Sequence, residues 1–200
     1  MKEYTYLALG DSYTIGEGVR INESFPYQTV QQLRQKGFSF SAPEIIATTG
    51  FTTDELMHAV NKTILLEQYD FVSLLIGANN QYRGRSLEEF AIQFEELLIK
   101  SIQLSRKKSV AVFVLSIPDW GATPFANGRD KKKIKEEINS FNSVCMYISS
   151  KHNVQFIDVT STQIEDAVNK DFLATDLLHP SGKEYDKWSG MLTEKISELL

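Results

Sequence analysis

Two hexapeptides of the chain are apolar almost throughout: Phe71-Val72-Ser73-Leu74-Leu75-Ile76 and Val110-Ala111-Val112-Phe113-Val114-Leu115. A strand of this kind is stable only when both its faces are covered, the situation of a central strand in a parallel sheet flanked by helices. Within strands predicted at 70–76 and 109–115, these runs join three further apolar segments, at 4–9, 44–47 and 154–159. Amphipathic stretches fill the gaps. Ser86-Leu87-Glu88-Glu89 reads as a capping box, followed by Leu87, Phe90, Ala91, Phe94, Leu97, Leu98 and Ile102 at helical spacing. Thr52-Thr53-Asp54-Glu55 and Ser181-Gly182-Lys183-Glu184 offer the same start to two more helices. A further helix is predicted over about 131–152, its inner face carrying Ile134, Ile138, Phe141, Cys145 and Ile148, and another over 26–36, ended by Gly37.

Strands alternating with helices predict an α/β fold: a three-layer α/β/α sandwich around a five-stranded parallel sheet with right-handed crossovers. Five strands suggest the flavodoxin-like order 2-1-3-4-5, with ligands bound beyond the strands' carboxyl ends where strands 1 and 3 diverge. No linker, repeat or low-complexity tract divides the 200 residues, so one domain over 1–200 is expected.

Charge and cysteine content exclude several functions. With 21 basic and 26 acidic residues the net charge is −5, which argues against nucleic acid as a partner. The basic run Arg129-Asp130-Lys131-Lys132-Lys133 reads as a solvated helix start, balanced by Glu136 and Glu137. The single cysteine, Cys145, excludes an internal disulfide and a cysteine zinc cage, and reads as a core residue. No signal-like leader and no apolar run of the ~20 residues that span a bilayer is present, so a cytoplasmic protein without stable membrane insertion is expected.

The predicted topology gathers particular residues on one rim. Gly10-Asp11-Ser12-Tyr13 follows strand 1, Thr48-Thr49-Gly50-Phe51 follows strand 2, and Gly77-Ala78-Asn79-Asn80 follows strand 3. Asp176-Leu177-Leu178-His179-Pro180 lies beyond strand 5. A nucleophilic serine needs a base, a group that orients the base, and donors for the developing oxyanion. His179 can be the base of Ser12 and Asp176 its orienter, while Pro180 holds His179 in an extended conformation. The N–H groups of Ser12 and Gly50 and the side-chain amide of Asn79 can supply the oxyanion donors. Asp11 reads as a carboxylate that stiffens the serine loop, since no second acid stands at Tyr13 for aspartyl phosphoryl transfer. His58 and His152 lack such company and read as structural, and three scattered histidines do not make a zinc site. Gly16-Glu17-Gly18 lacks the third glycine of a dinucleotide fingerprint.

These blocks, in this order, resemble the SGNH hydrolases, the GDSL-type esterases and lipases, over essentially the whole chain. The resemblance rests on Gly10-Asp11-Ser12, Gly50, Gly77-Ala78-Asn79-Asn80 and Asp176-Leu177-Leu178-His179. It implies Ser12, Asp176 and His179 as catalytic residues and Ser12, Gly50 and Asn79 as the oxyanion hole, with Asp11 and Asn80 supporting the loops. Two positions depart from the family pattern: Tyr13 stands where Leu is usual, and Asn80 where Asp is usual, keeping the shape and losing the charge. The expected activity is serine-dependent hydrolysis of a small-molecule carboxylic ester through an acyl-enzyme, with no metal or organic cofactor. A thioester or an acetylated sugar is the alternative substrate, and a catalytically silent ligand-binding protein on the same scaffold is the alternative of another class. The aromatic stretch 117–125 after strand 4, with Trp120 and Phe125, either walls the substrate pocket or packs as a structured loop.

Overall fold

The computed structural model of the chain describes residues 2–200. Its sheet holds five strands, β1 (Tyr6–Gly10), β2 (Glu44–Ala47), β3 (Phe71–Leu75), β4 (Val112–Leu115) and β5 (Gln155–Ile157), all parallel and in the order β2-β1-β3-β4-β5. Every residue of β1, β3 and β4 is buried, as two-sided coverage of apolar runs requires, whereas the edge strand β2 is only half-buried. Among the described residues there are eight α-helices, the first six between strands and the last two after β5: α1 (Ser12–Ile15), α2 (Phe25–Gln35), α3 (Thr53–Lys62), α4 (Ala78–Tyr82), α5 (Leu87–Leu104), α6 (Lys131–Lys151), α7 (Thr160–Asp166) and α8 (Gly182–Ser197). With right-handed crossovers, the reversal of strand order at β1 sends α2 to one face and α3, α5 and α6 to the other. α8 returns to pack along α2.

Local chemistry sets the element boundaries. Ser86 Oγ accepts from Glu89 N–H at 3.1 Å, but the Glu89 carboxylate turns to Arg85 and Gln93, so only half of the expected box forms. The box at Thr52 closes through Glu55, whose Oε2 accepts from Thr52 N–H at 2.9 Å. At Ser181 it does not: Glu184 is buried and takes hydrogen bonds from Trp188 Nε1 (2.9 Å) and Thr162 Oγ1 (3.1 Å).

Two strands, β4 and β5, are each three residues shorter than the sequence predicts. Residues 109–111 belong to a 3-10 turn, with Val110 exposed, because Arg106 N–H bonds the Tyr69 carbonyl at 2.8 Å and Lys108 takes φ +59°. The chain is therefore still turning when it reaches Ser109. β5 stops at Ile157 because Asp158 Oδ1 accepts from Thr160 N–H (3.0 Å) and Ser161 N–H (3.2 Å), starting α7 instead. Cys145 packs in the core, and burial pushes its thiol pKa up. His152 ends α6 and pairs with Glu95 at 2.6 Å.

Candidate active site

The carboxyl ends of the strands present the four sequence blocks side by side. β1 runs directly into Asp11 and the single turn of α1, which puts Ser12 at a helix start. Asp11 caps that turn, its Oδ1 accepting from Tyr13 N–H at 3.0 Å. Ser12 is 5% exposed and His179 6%. His179 Nε2 lies 2.9 Å from Ser12 Oγ, and His179 Nδ1 lies 2.6 Å from Asp176 Oδ2. The second carboxylate oxygen, Oδ1, accepts from the N–H groups of Leu178 and His179, both at 3.0 Å.

This loop is shaped from both ends. Ala174 N–H bonds the His179 carbonyl at 2.8 Å and Ser181 N–H the Phe172 carbonyl at 2.9 Å, while Leu177 takes φ +60° at the tip. Partial burial acts to raise the Asp176 pKa, but the hydrogen bonds from the His179 ring and the two backbone N–H groups outweigh it and hold the carboxyl below its ordinary value. The Tyr13 ring packs against the His179 imidazole with centroids 5.0 Å apart, so the residue that replaces the family's Leu buttresses the histidine.

Two backbone N–H groups of residues that line the same cavity as His179 are unpaired. Neither Ser12 N–H nor Gly50 N–H has an acceptor among the described residues. Gly50 holds φ +87°, a conformation that side chains resist, which is why a glycine serves there. Gly77, at φ +132°, meets the same demand and a second one: a Cβ there would fall 2.6 Å from Ile117 and 2.8 Å from Phe90. It lets α4 begin against the core and aims Asn79 back toward β1. Asn79 Nδ2 donates to the Phe51 carbonyl at 3.1 Å and to Asp11 Oδ2 at 3.4 Å, the longer contact being weak. Burial pushes the Asp11 carboxyl up to about 7, against the lowering effect of its Tyr13 and Asn79 hydrogen bonds.

Asn80, 1% exposed, uses both ends of its amide. Its Oδ1 accepts from Thr53 N–H at 3.1 Å and its Nδ2 donates to Thr53 Oγ1 at 2.8 Å, tying α4 to the start of α3. Trp120 and Phe125 line the cavity of about 230 Å³ that opens on Ser12, together with Tyr82 and Leu178. Both aromatic residues also belong to ordered 3-10 turns, so the wall and the structured loop are one feature.

The sequence blocks are thus neighbours in space and in one fold. A model of the GDSL-like Lipase/Acylhydrolase family matches residues 8–187. The chain belongs to that family. This GDSL-like protein also resembles solved structures at low sequence identity, which shows the fold alone. The psychrotrophic esterase EstA from Pseudoalteromonas sp., in a structure inhibited by monoethylphosphonate, is 16% identical, with TM-score 0.75 and 98% of each chain covered. A lipase/acylhydrolase from Enterococcus faecalis is 21% identical, with TM-score 0.73, 100% of this chain and 97% of that one covered. The acetylxylan esterase Axe2 from Geobacillus stearothermophilus is 17% identical, with TM-score 0.75, 96% of this chain and 94% of that one covered. A sequence search of curated proteins finds no match. Among the described residues, no helix of the GDSL-like protein is long and apolar enough to cross a membrane.

One residue with no sequence signal joins the two middle blocks. Arg83, which ends α4, donates from its backbone to the Asn79 carbonyl at 3.0 Å. Its guanidinium donates to the Gly50 carbonyl at 2.5 Å and to Glu55 Oε1 at 3.1 Å. On the other side, Thr49 Oγ1 donates to the Glu17 carboxylate.

Proposed function

We propose that the protein hydrolyses carboxylic esters through an acyl-enzyme formed on Ser12. The observation that carries this reading is the unbroken hydrogen-bonded line from Ser12 Oγ through the His179 ring to Asp176. A hydroxyl is a poor nucleophile until a base takes its proton in the attack, and His179 Nε2 is within reach to do so. Asp176 keeps the proton of the other ring nitrogen on Nδ1, leaving Nε2 as acceptor, and stabilises the imidazolium that results.

Attack of Ser12 Oγ on the carbonyl carbon turns the carbonyl oxygen into an oxyanion. The N–H groups of Ser12 and Gly50 are free to receive it, and the Asn79 amide joins them by giving up its 3.4 Å contact with Asp11. Collapse breaks the ester C–O bond, and the alkoxide leaves with the proton held on His179. Water then attacks the acyl-enzyme with His179 as base, releasing the carboxylic acid and restoring Ser12. A silent binding protein has no use for a serine hydroxyl held in this line, so the geometry favours turnover.

A fluorophosphonate tests the reading. It replaces the carbonyl by an electrophilic phosphorus, and the proposal expects a single covalent adduct located on Ser12 by peptide mass spectrometry. An adduct elsewhere, or none on the folded protein, contradicts it.

A further inference from the structure

Three of the aromatic rings that wall the cavity before Ser12 come from two segments: Tyr82 of α4, and Trp120 and Phe125 of the loop after β4. The Tyr82 and Trp120 rings meet edge-on with centroids 5.3 Å apart, and the Trp120 and Phe125 rings at 6.2 Å. Arg129 joins all three. Its guanidinium carbon lies 5.2 Å from the Tyr82 centroid and 5.3 Å from those of Trp120 and Phe125, and its Nη2 donates to the Tyr82 hydroxyl at 3.2 Å. No ion pair among the described residues includes Arg129.

We propose that Arg129 latches this aromatic wall and so restricts the enzyme to esters of short acyl chains. The inference rests on the reading that Ser12 is acylated. Tyr82 and Phe125 are exposed enough, at 49% and 39%, to swing into solvent if packing alone held them. A planar cation against the three rings holds them by their quadrupoles, and a guanidinium suits this better than an ammonium. A volume of about 230 Å³ matches roughly eight water-sized groups, at about 30 Å³ for each water. The ester carbon and its two oxygens take three of these, about five remain for the rest of the acyl chain, and an octanoyl or longer chain has to displace a ring. The acyl group is the part so measured. It remains on Ser12 through both steps, whereas the alcohol departs after the first and needs an open way out. Arg129 is a specificity-determining residue that acts through the rings, without touching the substrate.

The test is a series of p-nitrophenyl esters with acetyl, butyryl, octanoyl and lauroyl chains, measured on wild type, Arg129→Ala and Arg129→Lys. Wild type should favour acetyl or butyryl. In Arg129→Ala, the octanoyl-to-acetyl ratio of kcat/KM should rise roughly tenfold or more, the scale on which a fitted apolar pocket discriminates chain length. Arg129→Lys should fall between. General loosening of the fold would lower all four substrates together and leave the ratio where it was. A ratio unchanged in Arg129→Ala, or a wild type that prefers octanoyl or lauroyl esters, overturns the proposal. Fluorophosphonate labelling of the same samples separates the two levels. Labelled Ser12 with an unmoved ratio removes only the latch, while folded protein without label removes the acyl-enzyme reading and the latch with it.

Discussion

His179 Nε2 and Ser12 Oγ lie 2.9 Å apart although the two residues are 167 positions apart in the chain. Nothing local brings them together. β1, between β2 and β3, delivers the serine to the carboxyl rim of the sheet, and a loop drawn tight by the Leu173–Pro180 bridge delivers the histidine to the same rim.

Asp176→Asn keeps an oxygen for the Leu178 and His179 N–H groups but points an amide N–H at His179 Nδ1. The imidazole then carries its proton on Nε2 and cannot accept from Ser12. The variant should fold as wild type and lose about 10⁴ in kcat, the size of the same defect in a serine protease. Circular dichroism with steady-state ester kinetics checks both halves. A loss under tenfold would contradict the tautomer argument.

Asn79→Ala removes the side-chain donor while the Ser12 and Gly50 N–H groups stay. We expect kcat to fall about 10²–10³-fold with KM little changed, because the lost interaction forms only as the oxyanion develops. A rise in KM at constant kcat would instead make Asn79 a ground-state binding group.

Much of this was legible in the chain. β3 announced itself because a buried strand has to be apolar on both faces, and Gly77-Ala78-Asn79 fell where the end of β3 put it. The short helix α4 was not legible: five residues hold too little periodicity to read. Arg83 was hidden with it, since its link between the Asn79 and Gly50 segments depends on where that helix ends. Val110 was misread for the opposite reason. It continues an apolar run in sequence, but a turn fixed by Tyr69, remote in the chain, leaves it in solvent. Glu184 matched a capping pattern, yet its carboxylate has better partners in Trp188 and Thr162.

Arg83→Ala should misplace the proposed oxyanion donors without touching the line from Ser12 to Asp176. Its guanidinium holds the Gly50 carbonyl, and Glu55 holds the guanidinium. A loss of roughly ten- to a hundredfold in kcat is expected, as small misplacements produce. Arg83→Lys, which retains a donor, should recover part of it. Equal kcat in Arg83→Ala and wild type would show that the Gly50 segment is held by other contacts.

Asp11 makes stability depend on pH. Its folded pKa, raised to about 7, exceeds the ordinary 3.8, so the native state binds more protons across that window. Its contribution is fully favourable below pH ~4 and is lost as the pH rises through ~7, with an upper bound of about 4 kcal/mol. Asp11→Asn removes this slope. Urea midpoints at pH 4.5 and pH 8 should therefore move further apart in wild type than in the variant, and equal separation would contradict the assignment.

Asn80→Asp restores the family's usual residue but takes away the donor to Thr53 Oγ1, a hydroxyl that already donates to Gln93. The variant should lose about 1–3 kcal/mol, the cost of an unmet hydrogen bond at a buried site. A lower urea midpoint at pH 7 is the expected result, and an unchanged or higher midpoint would show that the carboxylate finds equal partners there.

The most direct test is turnover of p-nitrophenyl acetate by Ser12→Ala, a change that removes one oxygen from a buried position. The account predicts a fall in kcat of about 10⁶, the scale seen when a serine hydrolase loses its nucleophile, with the fold retained. Turnover at the wild-type rate would contradict it, because the hydroxyl on which His179 and Asp176 converge would then play no part in the reaction.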